Sequence, residues 1–132
     1  MLFRSVVPSD FKFFCFNGEP RFVHVVTGRF TNLCYDVFDL EWEPLSFSVT
    51  YPSSGRDIPR PGNFETMISA VRLLSRGFPF VRVDLYSIRE RVIFGEMTWY
   101  PSGGLGRFTP DIYDLRWGQA LTLPEPLRSS LM

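Results

Sequence analysis

Asp84 and Glu96 are the two side chains of this 132-residue chain whose type and spacing could hold a hard cation, and Arg82 stands just before the first of them. They lie in FPFVRVDLYSIRERVIFGEMTWYPSGGLG, Phe78 to Gly106, which reads as two strand-like runs around a charged turn with a glycine-rich exit. Strand side chains alternate faces, so Arg82 and Asp84 share one face of the first run, against Val81, Val83 and Leu85 on the other. In the second run the same alternation groups Val92, Phe94, Glu96 and Thr98.

If the runs pair as a hairpin, the parity of the loop decides everything. A loop at Arg89 to Arg91 opposes Asp84 to Glu96 and Arg82 to Thr98, with Cβ separations of about 4.5–5.5 Å. An even loop opposes Asp84 to Gly95 and sends the carboxylates to opposite faces. Two opposed carboxylates repel unless something cationic lies between them. Every nearby candidate ligand is oxygen, so the cation suited to the place is magnesium, which takes one or two carboxylates, keeps waters and completes its shell with phosphate oxygens. Asp84 and Glu96 are then the metal ligands, with Thr98 beside them, and Arg82 is the candidate catalytic residue, stabilising charge on an anionic substrate. The alternative is a polar cross-strand cluster in which Arg82 neutralises both carboxylates.

The elements that must position these residues follow from the pattern around them. Phe11 to Phe16 and Arg21 to Thr27 bracket Asn17-Gly18-Glu19-Pro20, whose Asn-Gly step suits positive φ, so a first hairpin is expected. Met1 to Asp10 reads as a lead-in. Lys12, Phe14 and Phe16 share one face of the first strand; His24 falls on a partly apolar face of the second and reads as structural, with no second histidine to build a metal cluster. Short strands are expected at Tyr35 to Leu40 and Leu45 to Thr50, with Asp36, Asp39 and Glu41 on a solvated face. Pro52 to Gly62 is a proline- and glycine-rich loop leading to a helix from Asn63, as N-cap, to Arg76, with Phe64, Met67, Ile68, Val71 and Leu74 on its buried stripe and Gly77 as C′. Pro101 to Arg107 offers backbone amides to an anion, and Thr109-Pro110-Asp111 opens a short helix to about Trp117, with Leu121 to Leu123 as an edge strand. The fold class is therefore α+β: a curved, mainly antiparallel sheet with one packed helix and a short C-terminal helix.

Length suits one domain, 1–132, and the composition, 45% hydrophobic and 21% charged, suits a globular core. Net charge is zero, which gives no long-range field for nucleic acid or anionic membrane. Thirteen of the basic residues are arginine and Lys12 is the only lysine. Cys15 and Cys34 form neither a metal-spaced set nor a disulfide framework, and Cys15, inside a phenylalanine run, reads as a buried thiol. No apolar stretch reaches the roughly 18 residues of a membrane span and no signal-peptide pattern opens the chain, so a cytoplasmic location is the expectation.

Several stretches together resemble the TupA-like ATP-grasp family, linked to teichuronopeptide and other cell-surface polysaccharide synthesis. They are Asp10 to Phe22 (DFKFFCFNGEPRF), Gly28 to Asn32 (GRFTN), Phe78 to Tyr86 (FPFVRVDLY), Phe94 to Gly104 (FGEMTWYPSGG) and Phe108 to Gly118 (FTPDIYDLRWG). Within them, Arg82, Asp84, Glu96 and Pro101 match the family pattern of an Arg-x-Asp strand followed by Glu-x-Asn-x-x-Pro-Gly, with Thr98 where asparagine is usual and Gly103 one residue late. The resemblance implies the C-terminal lobe of an ATP-grasp domain. It implies ATP and Mg2+ as cofactors, phosphorylation of a carboxylate on a glycan or small molecule, and attack by an amine to give an amide. Lys12, Arg29, Gly103 and Gly104 become candidate nucleotide- or substrate-binding residues. The adenine-binding, N-terminal lobe has no counterpart in these stretches, so a truncated homologue, a gene fragment, or one half of a split protein with that lobe on another chain is expected. Two other readings stand beside it: a non-catalytic module binding polysaccharide or a partner through Tyr35 to Tyr51, and a glycosyltransferase-associated protein, against which the lack of an Asp-x-Asp motif counts.

Overall fold

Two hairpins laid side by side make the sheet. The computed structural model describes residues 9–27, 33–46, 48–49, 52–99 and 108–109. The elements are β1 (Ser9–Phe16), β2 (Glu19–Thr27), β3 (Cys34–Phe38), β4 (Ser48–Val49), α1 (Phe64–Ser75), β5 (Phe80–Ile88), β6 (Arg91–Thr98) and β7 (Phe108–Thr109). A five-stranded sheet runs in the order β3-β2-β1-β5-β6, antiparallel throughout, and β4 pairs β7 in a separate two-stranded sheet. The fold is α+β, as the pattern implies.

The first hairpin forms where expected. Asn17 and Gly18 both take positive φ, 56° and 80°, the requirement of the tight turn whose twist matches its strands. Asp10 is not part of a lead-in: β1 begins at Ser9, and Asp10 pairs with Val26 and Tyr86. β3 ends at Phe38 rather than Leu40, because Asp39 turns the chain, its Oδ1 accepting from the amides of Glu41 and Glu43 at 2.9 Å each. Of the strand expected at Leu45 to Thr50, β4 comprises Ser48–Val49, and Leu45 and Ser46 are not strand. Thr109 is the last residue of β7; the helix expected from Pro110 to Trp117 and the edge strand at Leu121 to Leu123 lie outside the described residues.

α1 packs on one face of the sheet. Its stripe of Phe64, Met67, Ile68 and Val71 meets Phe11, Phe13, Cys15, Val23, Val25, Val81, Val83 and Leu85, all buried. Asn63 precedes the helix but does not cap it; its Nδ2 donates to Ser87 Oγ at 3.0 Å, tying the helix start to β5. A cap is worth about 1 kcal/mol, whereas full burial of one such apolar side chain contributes about 1.5–3 kcal/mol, so packing holds α1 in place. Gly77, at φ +88°, ends it as the expected C′ residue. No described helix is long and apolar enough to cross a membrane.

The second hairpin differs from expectation in an instructive way. Its loop is Arg89–Glu90, both at positive φ (52° and 65°), and Arg91 already belongs to β6. An even loop should have turned the carboxylates apart. The register indeed runs Ile88↔Arg91, Ser87↔Val92, Tyr86↔Ile93 and Leu85↔Phe94, then shifts between Asp84 and Leu85, so that Asp84↔Glu96, Val83↔Met97 and Arg82↔Thr98. Gly95 is the extra residue of a β-bulge. Val92 and Phe94 therefore sit opposite Ser87 and Leu85, on the helix side rather than with Glu96 as simple alternation implied. β2 carries a similar shift, skipping Arg21 between Phe22 and Pro20.

Candidate active site

The face turned away from α1 carries the polar residues. Registers place Asp10, Lys12 and Phe14 of β1 beside Tyr86, Asp84 and Arg82 of β5, then Glu96 and Thr98 of β6 beyond them. On the other flank Lys12 pairs with His24 of β2. One strand thus supplies the Arg-x-Asp pair, and the bulge in its neighbour supplies Glu96.

Asp84 is 2% exposed and fully engaged. Arg82 grips it through two nitrogens, Nε to Oδ1 and Nη2 to Oδ2, each at 2.8 Å, and Lys12 Nζ donates to Oδ2 at 2.8 Å. The same Arg82 Nη2 reaches Glu96 Oε1 at 3.2 Å and Thr98 Oγ1 at 3.3 Å. Thr98 Oγ1 in turn donates weakly to Glu96 Oε1 at 3.4 Å. Arg82 is therefore the cation between the two opposed carboxylates, and Glu96 is the outer member, 64% exposed against 13% for Arg82.

Lys12 bridges two buried acids: its Nζ lies 3.3 Å from Asp10 Oδ2 as well as 2.8 Å from Asp84. Burial by itself pulls the ammonium down, but the hydrogen bond to Asp84 and the attraction of Asp84 and Asp10 outweigh it and hold Lys12 above its ordinary value. Lys12 is thus charged and committed to the protein's own carboxylates. In this structure Lys12 fixes Asp84 from the β1 side.

His24 is fully buried between Phe14, at 4.4 Å, Tyr35, at 5.2 Å, and Phe22, at 5.6 Å between ring centroids. Neither ring nitrogen has a hydrogen-bond partner. Burial, aided by Arg82 and Lys12, pushes its pKa down to about 3, so the ring is neutral.

The oxygen-only donor set suits a hard cation. Asp84 and Glu96 face each other on one side of the sheet, and Glu96 Oε2 has no protein partner in the hydrogen bonds formed by this group. Among the described residues no three acidic, histidine or cysteine side chains form a cage. Two carboxylates with water and phosphate oxygens are a magnesium donor set, so the residues fit that ion. Arg29, Gly103 and Gly104 lie outside the described residues. The sequence pattern missed Asp10, although counting back by twos from Phe16 through Phe14 and Lys12 reaches it on the same face.

No curated protein and no solved structure matches this chain. A family model described as TupA-like ATPgrasp matches residues 4–122, which includes β1, the Arg82–Asp84 strand and the Glu96 strand. The chain belongs to the TupA-like ATP-grasp family.

Proposed function

We propose that this chain carries the magnesium- and phosphate-holding face of an ATP-grasp ligase, which activates a carboxylate with ATP and joins it to an amine during cell-surface polysaccharide synthesis. The observation that carries the reading is the opposition of Asp84 and Glu96 with Arg82 between them. A bound magnesium ion supplies neutralisation of charge on the terminal phosphates. Glu96, exposed and engaged through Oε1 by Arg82 and Thr98, and Asp84 would hold such an ion, which would leave Arg82 Nη2 available to a phosphate oxygen.

Arg82 then has a nitrogen released toward the same anion. Its Nε bond to Asp84 Oδ1 keeps the guanidinium plane in place, so it can hold a transferred phosphoryl oxygen without reorganising. Lys12 holds the orientation of Asp84 through its bond to Oδ2. Neutral His24, packed among aromatic rings, adds no competing charge. The acceptor is a carboxylate on a glycan or small molecule, with adenine held by a second lobe.

Calorimetric titration of ATP in magnesium, compared with ATP in EDTA, tests this. Glu96→Gln keeps the hairpin, since Glu96 is exposed, and is expected to abolish the magnesium-dependent part of binding. Binding that is equal with and without magnesium, or unchanged in Glu96→Gln, overturns the assignment.

A further inference from the structure

At the opposite edge of the sheet, Asp36 of β3 is 5% exposed, although its neighbours in the sequence suggested a solvated face. Its Oδ1 accepts from Ser53 Oγ at 2.7 Å and from the Ser54 amide at 3.0 Å, which pins the loop after β4 against the strand. Its Oδ2 is buried and has no hydrogen-bond partner. A buried carboxylate oxygen left unmatched is costly, and native structures supply a donor for such a group.

Asp36 also lines a cavity of about 240 Å³, together with Val37, Phe38, Leu45, Arg56, Asp57 and Ile58. This is below the roughly 300–1,000 Å³ of pockets for drug-sized ligands, so the occupant is small. The wall is mixed, with Phe38, Leu45 and Ile58 apolar and Asp36, Ser53, Arg56 and Asp57 polar, so an occupant with a polar head and an apolar body matches both parts. Charge selects the sign of the occupant: Asp36 and Asp57 carry two negative charges against the one positive charge of Arg56. Ser53 and the residues from Gly55 to Asp57 are exposed, and the space around the Gly55 Cα is open, at φ +73°, so this loop is the side from which the carboxylate is reached.

We infer that this cavity between β3 and the Ser53–Ile58 loop binds an alkylammonium group, its charged head taken by Asp36 and its methylenes by Phe38, Leu45 and Ile58. The site is independent of the ligase reading, since β2 and β1 separate β3 from β5. The group is carried either by a free aliphatic amine or by a lysine side chain, and the two are separated by probe.

The test is a titration of methyl-labelled protein, followed by NMR at Leu45 and Ile58, with n-pentylammonium, with Nα-acetyl-lysine amide and with n-pentanol. Saturable shifts with at least one ammonium probe are expected, about tenfold weaker for pentanol and in Asp36→Asn, which keeps an oxygen for Ser53 and Ser54 but loses the charge. The tighter of the two ammonium probes identifies the source. Equal response to pentanol, no saturable shift with either amine, or undiminished binding in folded Asp36→Asn overturns the inference. Ile58→Trp, which fills the cavity and leaves the carboxylate, gives a second arm if Asp36→Asn does not fold: binding must vanish there, and its survival overturns the proposal.

Discussion

A Cβ placed on Gly95 would lie 2.7 Å from Tyr86 Cε2 and 2.9 Å from the backbone oxygen of Asp84. The ring can turn away; the backbone oxygen cannot, because it belongs to a strand paired on both sides. The bulge that brings Glu96 opposite Asp84 therefore depends on glycine at this one position.

Gly95→Ala is expected to destabilise the protein by about 1–3 kcal/mol, the usual cost of forced overpacking. The measurement is the urea midpoint at unchanged slope. Cross-strand nuclear Overhauser effects between Asp84 and Glu96 should weaken in the same variant, and retention of both midpoint and cross-strand contacts would contradict the geometry.

Lys12→Met should cost more than removal of a surface pair. It removes the ammonium shared by Asp84 and Asp10, both 2% exposed, while Arg82 still holds Asp84, and losing one partner of a buried charged group costs about 1–3 kcal/mol. Arg72→Ala, which removes an ion pair whose side chains are about half exposed, is the comparison, expected to cost below about 1 kcal/mol. Denaturant unfolding of the two variants decides it.

Much of this frame was legible in the sequence. Asn17-Gly18 specified its turn, the Phe64 to Leu74 stripe specified the helix, and alternation put Arg82 and Asp84 on one face. The Asp84–Glu96 opposition was reached through a loop of the wrong parity, corrected by a bulge that alternation cannot show, because period-2 reasoning has no place for an extra residue. A glycine inside a strand run was the signal for it. Asn63 was placed correctly at the helix start, yet its side chain serves Ser87, a tertiary contact invisible to local pattern. Asp36 was misread because burial of a loop-facing acid depends on where the Ser53–Ser54 segment returns.

His24 should set the acid limb of stability. Its folded value, pushed down to about 3 by burial and by Arg82 and Lys12, lies below the ordinary 6.5, so the unfolded chain binds the proton first. Stability is complete above 6.5 and falls as pH drops toward 3; from about pH 7 to about pH 5 the loss is about 2 kcal/mol. Urea midpoints across that range measure it, and His24→Phe should flatten the slope. Lys12, raised above its ordinary 10.5, works in the opposite sense: its contribution is present below that pH and is lost as pH rises past its folded value.

Cys15 is expected to be inert in the native protein. Burial pushes its thiol up to about 12, and Sγ–H points to the Phe13 carbonyl at 3.8 Å, so the thiolate needed for attack is scarce at neutral pH. Reaction of Cys34→Ala protein with a disulfide reagent should proceed only at the rate of opening and become fast in urea. Immediate reaction of that thiol under native conditions would contradict the packing of β1.

The most direct test of the Asp84–Glu96 site uses manganese as a paramagnetic substitute for magnesium, added with ATP to isotopically labelled protein. Selective broadening of the Asp84, Glu96 and Thr98 resonances, abolished by Glu96→Gln and reversed by excess magnesium, is the predicted result. Broadening centred on carboxylates away from this face, such as Asp36 or Asp57, or identical in Glu96→Gln, would contradict it.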